Sequence, residues 1–259
     1  MKFSKVLFYE EGYREPIDHR SVTRLLRAFP RSYSEVVEII VENSESLTEN
    51  AFRFNVASLM PSFGMTRKGA FEGIGVDKEG RVHDRTSVID LCWKEIGDGL
   101  QNIRRYIDEN AVVHKRSRRL AELSTVQRDY VIRKTCNLFA GLCGIGVRRG
   151  QIRSARVGAS KILFATLPEV ALPVDNMEWD HVFKTDDYGE ILTTMTDEID
   201  EWERITNKHL DDLDPHQPTT LPSIYNVLAM SIRPLEKLPM SEIRRKYYAY
   251  LKKSRPQLC

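Results

Sequence analysis

The sequence predicts a mostly α fold, helical lobes framing a cleft with one small β-hairpin near 74–83. Three observations carry that expectation. Apolar residues recur at spacings of three and four over long stretches, helix-capping residues open several of these stretches, and a single glycine-dense segment breaks the pattern. The clearest stripe is Val88, Cys92, Ile96, Leu100, Ile103 and Ile107, on a helix from about 86 to 107. Gly97 and Gly99 weaken its middle by about 1 kcal/mol each, which implies close packing at that point.

A second helix is predicted from Ser124, because Ser124-x-x-Gln127 has the reciprocal capping pattern, and it buries Ile132, Cys136, Phe139 and Cys143 before ending in the glycine-rich GLCGIG. A third, from about 188 to 208, turns Ile191, Met195, Ile199 and Trp202 inward and acidic residues outward. Shorter helices are expected near 21–29, 34–42, 46–59, 156–167, 176–183, 222–232 and 241–253. KFSKVLFYE at the start reads as a strand, and the proline-rich DPHQPTTLP as a connector that places Pro222 in the first turn of the next helix.

The non-helical stretch is 61–84, with five glycines and a hairpin pattern around Asp77 to Gly80. Phe63, Met65 and Phe71 beside Arg67 and Lys68 have two readings: an apolar wedge of the kind that unstacks bases, or a surface hairpin folded back on the core. Gly73-Ile74-Gly75 lacks the third glycine and the following helix of a dinucleotide-binding turn.

At 259 residues the chain can bury a sizeable core as one helical domain or as two packed lobes. No apolar run approaches the roughly 20 residues that span a bilayer, so the expected setting is cytoplasmic, with no membrane partner. The four cysteines show no CxxC pair and are expected as reduced thiols. The net charge of +2 conceals a strong asymmetry. Residues 114–156 hold eleven Lys or Arg against Glu122 and Asp129, a net +9, whereas 178–214 carry a net −10 and 237–255 a net +6. Such a basic region points to a polyanion partner, or else to a solvated face that pairs with the chain's own acidic region.

The segment with the most chemistry is 141–183, GLCGIGVRRGQIRSARVGASKILFATLPEVALPVDNMEWDHVF. A glycine-bearing turn is followed by a helix containing Lys161, then by a loop with Pro168 and Pro173, and LPVDN places Asp175 at the start of another helix. This order resembles the signature region of the helix-hairpin-helix DNA glycosylases. The resemblance implies an enzyme that flips a damaged or modified base out of DNA and excises it, with no cofactor. It implies Asp175 as catalytic carboxylate, Lys161 as nucleophile or phosphate contact, and Gly158 in a turn that grips the DNA backbone. Arg148, Arg149, Arg153 and Arg156 flank the segment as candidate phosphate contacts. The segment departs from the family pattern, since Gly144-Ile145-Gly146 lies too far upstream of Asp175, and Lys161 follows Gly158 by three positions instead of two.

The chemistry explains the choice of groups. Breaking an N-glycosidic bond builds positive charge on the sugar, which a carboxylate stabilises, while a desolvated lysine can attack the sugar carbon. An extruded base needs an aromatic or apolar pocket, for which Trp93, Phe139, Phe164, Trp179 and Phe183 are candidates. Each residue also has a simpler role: Asp175 as a helix N-cap, Lys161 as a solvated lysine. Glu178 and His181, one helical turn apart, lack the second such pair that a metal site of this type uses, and no metal is expected. The rival function is a non-enzymatic helical module that binds DNA through the basic face or a protein through the acidic helix 188–208. The setting, genome repair or antiviral defence, is not encoded in these motifs.

Overall fold

The computed structural model describes residues 6–11, 13–45, 47–66, 71–111, 119–148, 155–216 and 219–233. The predicted helix at 241–253, Arg149 and Arg153 therefore lie outside the described residues, as does the side chain of Arg148. The fold is mostly α, with two small antiparallel hairpins. The chain opens with strands β1 (Phe8–Glu11) and β2 (Tyr13–Pro16), which pair with Phe8 opposite Pro16 and Glu11 opposite Tyr13. The expected N-terminal strand thus finds its partner in the very next residues.

Helices α1 (His19–Ala28), α2 (Arg31–Asn43) and α3 (Glu49–Ser62) follow. Two of their starts are set by side-chain caps: Asp18 accepts from the Arg20 and Ser21 amides and Thr48 from that of Ala51. Strands β3 (Gly75–Val76) and β4 (Val82–His83) form the hairpin expected near 74–83. Asp77 shapes its turn by accepting the amides of Glu79 (3.0 Å) and Arg81 (2.8 Å), and Gly80, at φ +78°, supplies the left-handed residue. Phe63, Met65 and Phe71, the candidate wedge, are partly buried against the core, as in the folded-back reading.

Helix α4 (Val88–Asn110) buries the whole predicted stripe, and Leu138 lies where a side chain on Gly99 would project. After the one-turn α5 (Arg119–Glu122) comes α6 (Thr125–Arg148), whose start shows the expected capping box: the Ser124 amide donates to Gln127 Oε1 (3.0 Å) and the Gln127 amide to Ser124 Oγ (3.4 Å). Its end differs from expectation. GLCGIG is not a turn but the last part of α6, because its glycines let the helix approach its neighbours: a Cβ on Gly146 would meet Ala155 at 2.8 Å, and one on Gly141 would meet Glu95 at 3.1 Å.

Helix α7 (Ala155–Thr166) runs through the interior, packed against α3 and α6, with every residue but Arg156 buried. A helix apolar on all sides belongs at the centre of a fold. A buried loop leads to a π-helical turn, Glu178–Phe183, and then to α8 (Tyr188–Thr206) and α9 (Leu221–Ser231). Thr220 and Ser223 form a reciprocal capping box at the start of α9, with Pro222 in its first turn. The N-terminal hairpin closes onto this last part of the chain: Leu7 N–H donates to Glu198 Oε2 (3.2 Å), as does the Tyr225 hydroxyl (3.1 Å), and Trp202 Nε1 donates to the Ile17 carbonyl (2.8 Å). One apolar cluster spans the described chain from Val6 to Ala229. Among the described residues no helix is long and apolar enough to cross a membrane.

Candidate active site

The loop 167–174 is buried, so its backbone groups need partners, and polar side chains from surrounding elements provide them. Ser160 of α7 accepts from the Val174 amide (3.0 Å) and lies 3.1 Å from the Val174 carbonyl. The Tyr188 hydroxyl accepts from the Leu172 amide (3.0 Å) and donates to its carbonyl (2.8 Å), and Thr220 Oγ1 donates to the Pro168 carbonyl (2.6 Å). These contacts fix where Asp175 emerges.

Asp175 is an N-cap, as its simpler reading held, and it carries a second interaction. Oδ1 accepts the amides of Met177 (2.9 Å) and Glu178 (3.3 Å), while Oδ2 pairs with Arg233 at 2.7 Å. Glu178 returns the cap by accepting the Asp175 amide at Oε2 (2.8 Å), and its Oε1 lies 3.1 Å from the same Arg233 nitrogen. Glu178 is buried on the π-helical turn, a distortion frequent at functional sites. Burial pushes its carboxyl up to about 7; Arg233 and the Asp175 amide oppose this, and the Asp175 charge adds to it. His181, its candidate metal partner, lies on the same turn, but both Glu178 oxygens are already engaged by Asp175 and Arg233.

Lys161 projects into the same charge cluster from α7. Its side chain is 3% exposed and its ammonium lies 4.4 Å from the centroid of the Phe63 ring, which in turn meets Tyr33 edge-on. Burial brings the amine down to about 8; the Asp175 and Glu178 charges hold it up, and Arg233 lowers it further. Lys161 and Asp175, 14 positions apart in sequence, thus share one electrostatic environment. The arrangement offers an amine within reach of neutrality, two carboxylates and a fixed guanidinium, the materials of nucleophilic and acid–base chemistry.

Other expectations are corrected. Gly158 is not in a turn that presents its backbone to a ligand: it is buried within α7, where a Cβ would meet the Phe71 ring at 2.8 Å, so its small size serves packing. Arg156, a candidate phosphate contact, is paired within the chain. Its guanidinium pairs with Asp186 and Asp180 (2.7 Å to the latter) and lies 5.2 Å from the Trp179 ring centroid. Arg128 pairs likewise with Asp200, so part of the basic region meets the acidic region inside the molecule. Of the aromatic candidates, Phe164, Trp179 and Phe183 are core residues, and Phe139 stacks on Tyr188 at 4.4 Å. Cys92, Cys136 and Cys143 form no disulfide among the described residues, and burial pushes the Cys136 and Cys143 thiols up to about 11.

Sequence reasoning missed Arg233, Asn226 and Tyr33, which complete the cluster from distant parts of the chain. Asn226, a polar residue inside the apolar run LPSIYNVLAM, was the one visible signal. The Asp-x-x-Glu spacing of a capping box was equally available for Glu178. Comparison of the chain with family models, with curated proteins and with solved structures found no match.

Proposed function

We propose that Lys161 and Asp175 form the catalytic centre of a cytoplasmic enzyme that excises a damaged or modified base from DNA by breaking its N-glycosidic bond. The observation that carries this reading is the burial of Lys161, 3% exposed with its amine 4.4 Å from the Phe63 ring centroid; that burial brings the amine down to about 8 even though the Asp175 charge holds it up. The resemblance of the segment 141–183 singles out the same two residues from chain order. In this reading the extruded nucleotide reaches Lys161 once the Phe63 ring swings aside. The amine attacks the sugar C1′; the bond to the base breaks, its electron pair leaving with the base, which takes up the proton that the attacking nitrogen gives up. The sugar ring then opens at its C1′–O4′ bond, the ring oxygen being protonated from water, to leave the iminium that borohydride reduces. The Asp175 carboxylate stabilises positive charge on the sugar as the bond lengthens, and Arg233 keeps that carboxylate aimed.

Borohydride reduction during turnover of oligonucleotides bearing a panel of altered bases tests this. Wild type should form a covalent adduct that Lys161→Ala abolishes. Asp175→Asn, which keeps shape and capping ability, should lose base release by about 10²-fold or more with DNA affinity retained. Absence of base release on every substrate would sink the proposal. A second reading, a non-enzymatic helical module in which the cluster only pins α7 to the chain around it, is favoured by the internal Arg156–Asp180 and Arg128–Asp200 pairs. It expects Asp175→Asn to change stability alone.

A further inference from the structure

The buried Asn226 and Glu178 and the partly buried Tyr33 are polar groups to which the mechanism above gives no task, and they are joined end to end. With the Asn226 amide oriented by its hydrogen-bond network, its oxygen accepts from the Tyr33 hydroxyl at 3.0 Å. Its nitrogen donates to Glu178 Oε1 (3.1 Å) and to the Pro173 carbonyl (2.8 Å). Asn226, 1% exposed, therefore ties α2, the loop that delivers Asp175 and the π-helical turn to a single point on α9.

The Glu178 carboxylate collects three donors: the Asn226 amide, the Asp175 backbone amide and Arg233. Each favours the ionised form, whereas burial at 1% exposure favours the neutral one. Burial, opposed by Arg233 and the Asp175 amide, leaves the carboxyl at about 7, and the Asn226 amide, as a further donor, lowers it from there, so loss of a donor shifts its charge near neutral pH. That charge acts on Lys161, which faces Asp175 and Glu178 from the loop and π-helical turn, Arg233 from the end of α9, and the Phe63 ring from the end of α3. An ionised Glu178 keeps the amine protonated, and a neutral one releases it.

We infer that the chain Tyr33–Asn226–Glu178 is a positioning device which, by holding a negative charge within electrostatic reach of Lys161, sets the pH range in which that lysine is a nucleophile. This rests on the reading of Lys161 as the attacking amine. Tyr33 and Asn226 act through Glu178 and are positioning residues, not catalytic ones.

The test follows the Lys161 amine directly, by NMR titration of the free full-length protein carrying 13C at the lysine ε-carbons, with Lys161→Arg to assign the signal. Glu178→Gln should move the Lys161 midpoint down by about one pH unit. Asn226→Ala and Tyr33→Phe should move it in the same direction by less, with the remaining lysines unmoved. The pH profile of borohydride trapping should shift to lower pH in parallel. A Lys161 midpoint identical to wild type in Glu178→Gln overturns the inference. If that variant fails to fold, Tyr33→Phe, which lacks a single oxygen, decides by the same criterion. Because the titration uses no DNA, failure of the glycosylase reading appears separately, as absence of any adduct while the midpoints still respond.

Discussion

Replacing Lys161 with methionine, which has similar reach and no charge, should change how stability depends on pH. In the unfolded chain the lysine titrates near 10.5, in the folded protein near about 8. Between those values the unfolded chain binds more protons, so this group's burial penalty is complete below about 8 and is relieved as pH rises towards 10.5. At roughly 1.36 kcal/mol per pH unit, the gap corresponds to about 3 kcal/mol, of which about 2 kcal/mol is recovered between pH 8 and 9.5. Glu178 works in the opposite sense. Its carboxyl rises from 4.5 to about 7, so the folded protein binds the extra proton and stability falls as pH rises through that window. The site is therefore most costly to the fold at pH 7 to 8, where a charged carboxylate and a charged ammonium are both buried. Urea unfolding of wild type and Lys161→Met at intervals from pH 5 to 9.5 measures this. Wild type should gain about 2 kcal/mol relative to the variant above pH 8, while the decline between 4.5 and 7 persists in both. Parallel curves above pH 8 would refute the assignment of a buried, readily neutralised amine.

Two further outcomes test the packing. Arg104→Met strands the buried Glu169 carboxylate, with Arg119 3.9 Å away, and should cost about 3–5 kcal/mol in urea unfolding; a loss below about 1 kcal/mol would show that the pair is not needed. Gly146→Ala should lower the melting temperature, since its Cβ would stand 3.1 Å from the Ala155 backbone, whereas Gly99→Ala meets only a terminal Leu138 methyl that can rotate away and should stay within about 1 kcal/mol of wild type.

How far the sequence discloses the structure depends on whether a residue's partners are local. The α4 stripe, the Ser124–Gln127 cap and the Asp77 turn are written in short-range spacing, and the structure contains all three. Helix α7 is buried on all sides, so it has no polar face to define its period, and its glycine reads as a turn residue. Glycine serves turns through its freedom of φ and helix contacts through its missing side chain; Gly80 uses the first property, Gly146 and Gly158 the second, and a single sequence does not distinguish them. At the site, Lys161 and Asp175 lie within one legible segment. Arg233, 58 positions beyond Asp175, and Tyr33, 193 positions from Asn226, meet it only through the tertiary fold.

The attachment of the N-terminal hairpin to α8 and α9 bears on how the chain is made. Val6, Leu7, Phe8 and Ile17 leave the ribosome well before the groups that receive them, Glu198, Trp202 and Tyr225, which are translated about 190 residues later. At roughly 5–20 residues per second this apolar strand pair waits ten seconds or longer without its docking surface. The closure is also strongly non-local, 191 positions between Leu7 and Glu198, and contacts of such sequence separation slow folding. Nascent chains arrested before residue 198 should accordingly leave the hairpin open to protease, and those extended past α9 should protect it.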